Sequence, residues 1–195
     1  MKEIEIKIKL DDPTGLMRKV EKLGGKKMGQ YHEHDVMYDN ASGNFNTGYP
    51  ESKQLRLRKS EEGNFLTYKE KLKGEEHNHI LQRTEIETTV EDFETMDTIL
   101  KRLGFRPYKV KEKIAIDYTL DGFTVEFHKL PFLGDFLEIE ASEKQLEEFL
   151  PKLGLAIDQG INKSYNSLFD DYCKQHGLPQ GSQLTFEEEK KRGLQ

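Results

Sequence analysis

Glu3, Glu5 and Lys7 alternate with Ile4, Ile6 and Ile8 around the stretch EIEIK. An extended chain would carry the two carboxylates and the ammonium on one face and the isoleucines on the other. Paired carboxylates are hard oxygen donors for Mg2+ or Mn2+, ions that also bridge phosphate oxygens. Basic pairs recur at the same spacing: Arg56 with Arg58, Lys69 with Lys71, and Lys111 with Lys113. Arg83 leads into Glu85 and Glu87, Glu126 precedes His128, and Glu138 precedes Glu140. Many arginine forks and lysine point charges together suit a polyphosphate chain. A buried cation cluster is costly unless anions pair with it. Removing Arg56 or Arg58 should therefore relieve repulsion in the ligand-free protein and preserve or raise its stability.

This chemistry requires the charged faces to point inward. For one strand, a solvated polar face is the ordinary reading. Strand patterns at Lys2 to Leu10, Tyr31 to Asp39, Gln54 to Ser60, Asn64 to Lys71, Ile80 to Val90, Val110 to Leu120, Phe123 to Leu130 and Asp135 to Ala141 all alternate alike. That makes about eight strands, the number that suits a closed antiparallel barrel. Glu62-Gly63 and Asp121-Gly122 are expected as hairpin turns, and residues 40–53 as a long loop that could act as a lid.

Glu-Ile-Glu occurs at Glu3 to Glu5, Glu85 to Glu87 and Glu138 to Glu140. Each copy is followed by an amphipathic helical pattern closing on Lys22-Leu23-Gly24, Arg102-Leu103-Gly104 or Lys152-Leu153-Gly154. Leu16, Val20 and Leu23 share one helical face, as do Met96, Ile99, Leu100 and Leu103. These helices would cover the apolar outside of the barrel. The expected fold is α+β: an eight-stranded antiparallel barrel with a charged tunnel and helices packed outside. Residues 1–173 read as one domain and 174–195 as a polar tail, with Thr185 and Glu188 starting a short solvated helix.

The chain has 195 residues, of which 34% are charged, with a net charge of -6. That balance argues against general nucleic-acid binding. The single cysteine, Cys173, excludes an intrachain disulfide framework, and no apolar run suggests a signal peptide or a membrane span. A cytoplasmic protein is expected, with monomer and homodimer both open.

EIEIK resembles the E-x-E-x-K signature of the CYTH proteins, the triphosphate tunnel metalloenzymes that include class IV adenylate cyclases and thiamine triphosphatase. The likeness runs from about Lys2 to Asp171, through the LRLR of Leu55 to Arg58, TYKEK around Lys69, RTEIE of Arg83 to Glu87, LGDFLEIE of Leu133 to Glu140 and NKSYNSLF of Asn162 to Phe169. It implies a tunnel holding a triphosphate along basic residues, with a divalent cation on glutamates. Carried over, Glu3, Glu5 and Glu138 are metal ligands, helped by Glu140, with Glu85 and Glu87 for a second metal or for orienting cations. Lys7, Arg56, Arg58, Lys69, Arg83, Lys111 and Lys113 are phosphate contacts, and Glu3, Glu5, Lys7 and Glu138 the catalytic set. The pattern is broken at Lys113, where arginine is usual, at His128, near an expected aspartate, and at Met37, where tyrosine is usual.

The resemblance is nearest to class IV adenylate cyclases, which convert ATP to cyclic AMP and pyrophosphate. A triphosphatase acting on thiamine triphosphate or tripolyphosphate would use the same site, and a non-catalytic polyphosphate-binding module could lose the metal carboxylates.

Overall fold

A computed structural model of the chain describes residues 2–43, 45, 53–71, 79–179 and 181–193, without the side chains of residues 2, 3 and 71. Its strands are β1 (Lys2–Leu10), β2 (Lys26–Asp39), β3 (Lys53–Ser60), β4 (Gly63–Lys71), β5 (Ile80–Val90), β6 (Arg106–Leu120), β7 (Phe123–Leu130) and β8 (Gly134–Glu140). They close into an antiparallel barrel in the order β1-β5-β4-β3-β2-β6-β7-β8, with β8 returning to β1. Most of the loop expected at 40–53 lies outside the described residues.

The alternation in β1 is resolved by what covers it. Ile6 and Ile8 are buried with Leu137 and Ile139 of β8 under Leu16 and Val20 of α1 (Pro13–Lys22) and Leu146 and Leu150 of α3 (Glu143–Leu153). Each fully buried aliphatic side chain contributes about 1.5–3 kcal/mol. This burial fixes the register, because a slip of one residue would exchange the isoleucines for Glu5 and Lys7. A second cluster packs Phe93 and Leu100 of α2 (Phe93–Arg102) on Val36, Tyr38, Leu55 and Leu57.

The strand, helix and glycine unit occurs three times as read. After α1, α2 and α3 the chain turns at Gly24, Gly104 and Gly154 with φ of 97°, 92° and 79°, a conformation open to glycine. Leu23 and Leu103 do not join the buried faces: they are the C-cap residues, where the chain leaves the helix, and both are exposed. Ile99 is exposed as well.

β2 and β6 begin earlier than the sequence indicates, at Lys26 and Arg106 rather than Tyr31 and Val110. Gly29 and Pro107 read as strand breakers, but each sits at a register shift in the β2–β6 ladder, where an irregularity tolerates them.

One end of the barrel is filled. Leu130 and Phe136 meet Tyr165 and Phe169 of α4 (Tyr165–His176), together with Leu184. The tail is thus only partly solvated. α5 (Phe186–Lys191) has no buried residue, but Leu184 before it is fully buried. Its N–H donates to the Val110 carbonyl at 3.0 Å and its carbonyl accepts from Glu112 N–H at 2.8 Å. These contacts lie beyond Ile114, where the pairing of β6 with β7 ends. Among the described residues no helix is long and apolar enough to cross a membrane.

Candidate active site

The inward faces of the strands enclose a cavity of 880 Å³ lined by Glu5, Arg56, Arg58, Lys69, Lys113 and Glu138, with Glu85, Glu87, Glu126 and Glu140 at its walls. A smaller space of 70 Å³ lies between Lys7, Arg83, Lys111 and the Ser164-Tyr165-Asn166 segment that caps the filled end. Every candidate phosphate contact lines one of these spaces. Glu3 is in β1 opposite Arg83, with its side chain outside the described residues.

The cations do not crowd unpaired. Asp35, on the tunnel face of β2 and fully buried, accepts from Arg58 Nε and Nη2 at 2.7 and 3.0 Å and from Lys111 Nζ at 3.0 Å, with Arg56 at 3.8 Å. Burial would raise this carboxyl, but Arg58, Lys111 and Arg56 outweigh it and hold it well below the carboxylate range. Glu33 contacts Arg58 at 2.6 Å and Lys113 at 3.2 Å. Arg58 thus bridges two buried acids, which overturns the expectation that removing it relieves repulsion. Lys111 has only a share of Asp35 and is buried among Lys113, Arg58 and Arg56, so burial and those neighbours bring its pKa down to about 8.

On the opposite wall Lys69 pairs with Glu85 at 2.8 Å, and Glu87 accepts from Thr67 at 2.7 Å and Arg56 at 3.4 Å. These two glutamates therefore orient cations in the ligand-free tunnel. Arg83 keeps one buried guanidinium nitrogen without a hydrogen-bond partner among the described residues.

Lys7 Nζ lies between Glu138 at 2.7 Å and Glu5 at 3.1 Å, 4.4 Å above the Tyr165 ring. Burial opposes its charge, but the two carboxylates prevail and raise its pKa. Glu138 also faces His128 Nδ1 at 3.3 Å; burial would raise it, but Lys7, His128 and Lys113 hold it well below its ordinary value. Glu126 is likewise held below its ordinary value by Lys113, against the effect of burial. Glu126, His128 and Glu138 each offer a donor atom, and these atoms lie within 4.8 Å of one another. Buried carboxylates that stay charged, already gathered about ammonium groups, fit a divalent cation.

Glu33, Asp35, Tyr165 and Asp117 escaped the sequence reading of the site. Asp117 lies opposite Glu126 across β6 and β7, and burial followed by that neighbour pushes its carboxyl up to about 7. A carboxyl pushed up toward neutrality beside Glu126 is suited to proton transfer.

A family model described as the CYTH domain matches residues 1–165. A Methanocaldococcus jannaschii protein named "putative adenylate cyclase" is 34% identical over 180 residues, which span 86% of this chain and 98% of the relative. A solved Pyrococcus horikoshii OT3 protein is 31% identical with a TM-score of 0.71, covering 85% of this chain and 98% of that one. A Hippeastrum structure reported as a "putative adenylyl cyclase" with dominant triphosphatase activity matches at 18% identity and a TM-score of 0.62, over 87% of this chain and 96% of its own. That last likeness concerns the fold alone.

Proposed function

Because the chain belongs to the CYTH domain family, whose tunnel proteins are metal-dependent and bind triphosphates, we propose that it is an adenylate cyclase, converting ATP to cyclic AMP and pyrophosphate. The observation that carries this reading is the size of the cation-lined cavity. At 880 Å³ it lies in the upper part of the range of roughly 300–1,000 Å³ for small-molecule sites, and a nucleoside can enter beside its phosphates. The relative named as an adenylate cyclase supports the same reading.

In this reading Arg56, Arg58, Lys69, Lys111 and Lys113 exchange internal carboxylates for phosphate oxygens, and Arg83 brings to the inner end a guanidinium nitrogen with no hydrogen-bond partner among the described residues. Glu5 and Glu138, with Glu3 and Glu140, would hold Mg2+ or Mn2+. When bound, the cation would neutralise phosphate charge and lower the barrier to deprotonating the ribose hydroxyl. The protein's own groups would hold the α-phosphorus in line with that hydroxyl, and Tyr165 closes the inner end.

One observation favours triphosphatase as the second reading: no aromatic side chain is among the described residues lining the large cavity, so nothing there offers a stacking surface for adenine. Phosphorus NMR of the products from ATP, 3′-deoxy-ATP and tripolyphosphate decides between them. Cyclic AMP and pyrophosphate from ATP, with 3′-deoxy-ATP inert, are expected. Orthophosphate release from ATP and the deoxy analogue alike, with no cyclic nucleotide under either metal, would overturn the cyclase reading and leave a triphosphatase.

A further inference from the structure

Two positions at which the chain departs from the CYTH pattern touch each other. Lys113 Nζ lies 2.6 Å from His128 Nε2, and both side chains are buried. The same Nε2 is 2.8 Å from Glu126 Oε2, while His128 Nδ1 is 3.0 Å from Tyr165 Oη. An ammonium has only protons to offer. Its approach to Nε2 therefore requires the lone pair there and places the ring proton on Nδ1, facing Tyr165 and Glu138. Nε2 and the Glu126 oxygen are then two acceptors side by side, an arrangement that a cation between or beside them must stabilise. Lys113, 3.8 Å from Glu126 and 3.2 Å from Glu33, supplies that cation.

We infer that Glu126, His128 and Glu138 form a mixed nitrogen and oxygen centre for a divalent cation, occupied in the cation-free protein by the Lys113 ammonium. The imidazole makes this centre select Mn2+ over Mg2+. Three further points support it. A metal-ligating histidine characteristically donates its other N–H to a neighbour, as Nδ1 is placed to do toward Tyr165. Imidazole suits borderline transition ions, whereas Mg2+ wants oxygen ligands and retains its waters. Lys113 is also a candidate phosphate contact, so an arriving triphosphate would draw the ammonium away and free Nε2 and Glu126. The inference rests on the metal requirement of the proposed function but not on which bond is broken.

The test uses the full-length protein stripped of cations, without nucleotide. Calorimetric titration with MnCl2 and MgCl2 should give an Mn2+ affinity about tenfold or more above that for Mg2+, and pulsed EPR of the Mn2+ complex should show nitrogen hyperfine coupling. His128→Asp, which makes the donor set all oxygen, should abolish that coupling and bring the two affinities together. Lys113→Met, which removes the tethered competitor, should tighten Mn2+ binding severalfold. Absence of Mn2+ binding or of nitrogen coupling in the wild type would overturn the centre. An unchanged Mn2+ to Mg2+ ratio in His128→Asp would overturn the selectivity, and unchanged Mn2+ affinity in Lys113→Met would overturn the competition. If His128→Asp fails to fold, the wild-type coupling and the Lys113→Met titration still decide. Nitrogen-coupled Mn2+ binding in this titration, together with no cyclic AMP from ATP in the phosphorus NMR assay, would sink the cyclase reading and leave this centre standing.

Discussion

Asp35→Asn is the sharpest perturbation of the tunnel, because one buried carboxylate serves Arg58, Lys111 and Arg56 at once. Asparagine keeps the volume, but it removes the charge and turns an N–H2 toward groups that only donate. Breaking a buried ion pair by deleting one partner costs about 3–5 kcal/mol. Glu33 still holds Arg58 at 2.6 Å, so the loss should stay within that range although three cations are affected. For a chain of this size each kcal/mol moves the melting temperature by about 2–4 °C, which predicts a fall of about 6–20 °C. The variant should nonetheless bind tripolyphosphate more tightly than wild type, since the tunnel has gained one unit of positive charge. Linkage then gives the variant the larger ligand-induced rise in melting temperature at equal ligand concentration. The pH dependence follows from the depressed carboxyl: its stabilisation is fully present above the ordinary carboxylate pKa and is lost only as pH falls through the depressed value. The gap between wild type and variant should be constant near neutrality and shrink in strong acid. Scanning calorimetry with and without tripolyphosphate reads both effects. A melting temperature within about 2 °C of wild type, or weaker tripolyphosphate binding, would refute the assignment of Asp35 as the shared counter-ion.

Lys111, with a pKa brought down to about 8, should give opposite slopes above that pH. The folded state sheds this proton before the unfolded chain does, so ligand-free stability gains from this group between about pH 8 and the ordinary lysine value near 10.4. Tripolyphosphate affinity should fall over the same interval, and both trends should flatten in Lys111→Met, as read by pH-resolved melting and calorimetric titration. Glu138→Gln replaces an acceptor that holds Lys7 and faces His128 by a group that also donates; product formation should vanish and Mn2+ affinity should drop by roughly tenfold or more. Glu5→Gln should likewise abolish turnover while circular dichroism stays native; normal turnover would remove Glu5 from the site.

The barrel was legible because its charged and apolar positions alternate with period two in every strand, and because the glycine-stopped helices supply the outer cover. β2 and β6 begin before the expected Tyr31 and Val110 because the ladder tolerates register shifts at Gly29 and Pro107, and a tolerated shift depends on a partner that the linear chain does not reveal. Glu33 and Asp35 carried a usable signal: Glu-His-Asp repeats the acid-x-acid spacing of Glu-Ile-Glu, and reading it so would have supplied the missing counter-ions for Arg58 and Lys111. Tyr165 was different. Its segment was recognisable by resemblance, but its entry between Lys7 and His128 is set by the docking of α4, and no local period encodes that. Leu184 is one leucine in a polar tail, and only the apolar cluster of Leu130, Phe136, Tyr165 and Phe169 gives it a place.

The hydrogen bonds of Leu184 to Val110 and Glu112 bear on the solubility of the protein. Where β6 outruns β7 it would otherwise present a bare sheet edge, a template for pairing with another chain. Leu184 covers that edge with its backbone while its side chain fills the apolar plug. A chain cut after Pro179 would expose unpaired N–H and C=O groups beside a greasy hollow at the filled end of the barrel. Such a fragment is expected to self-associate more readily than the full chain, which light scattering of the two at equal concentration checks.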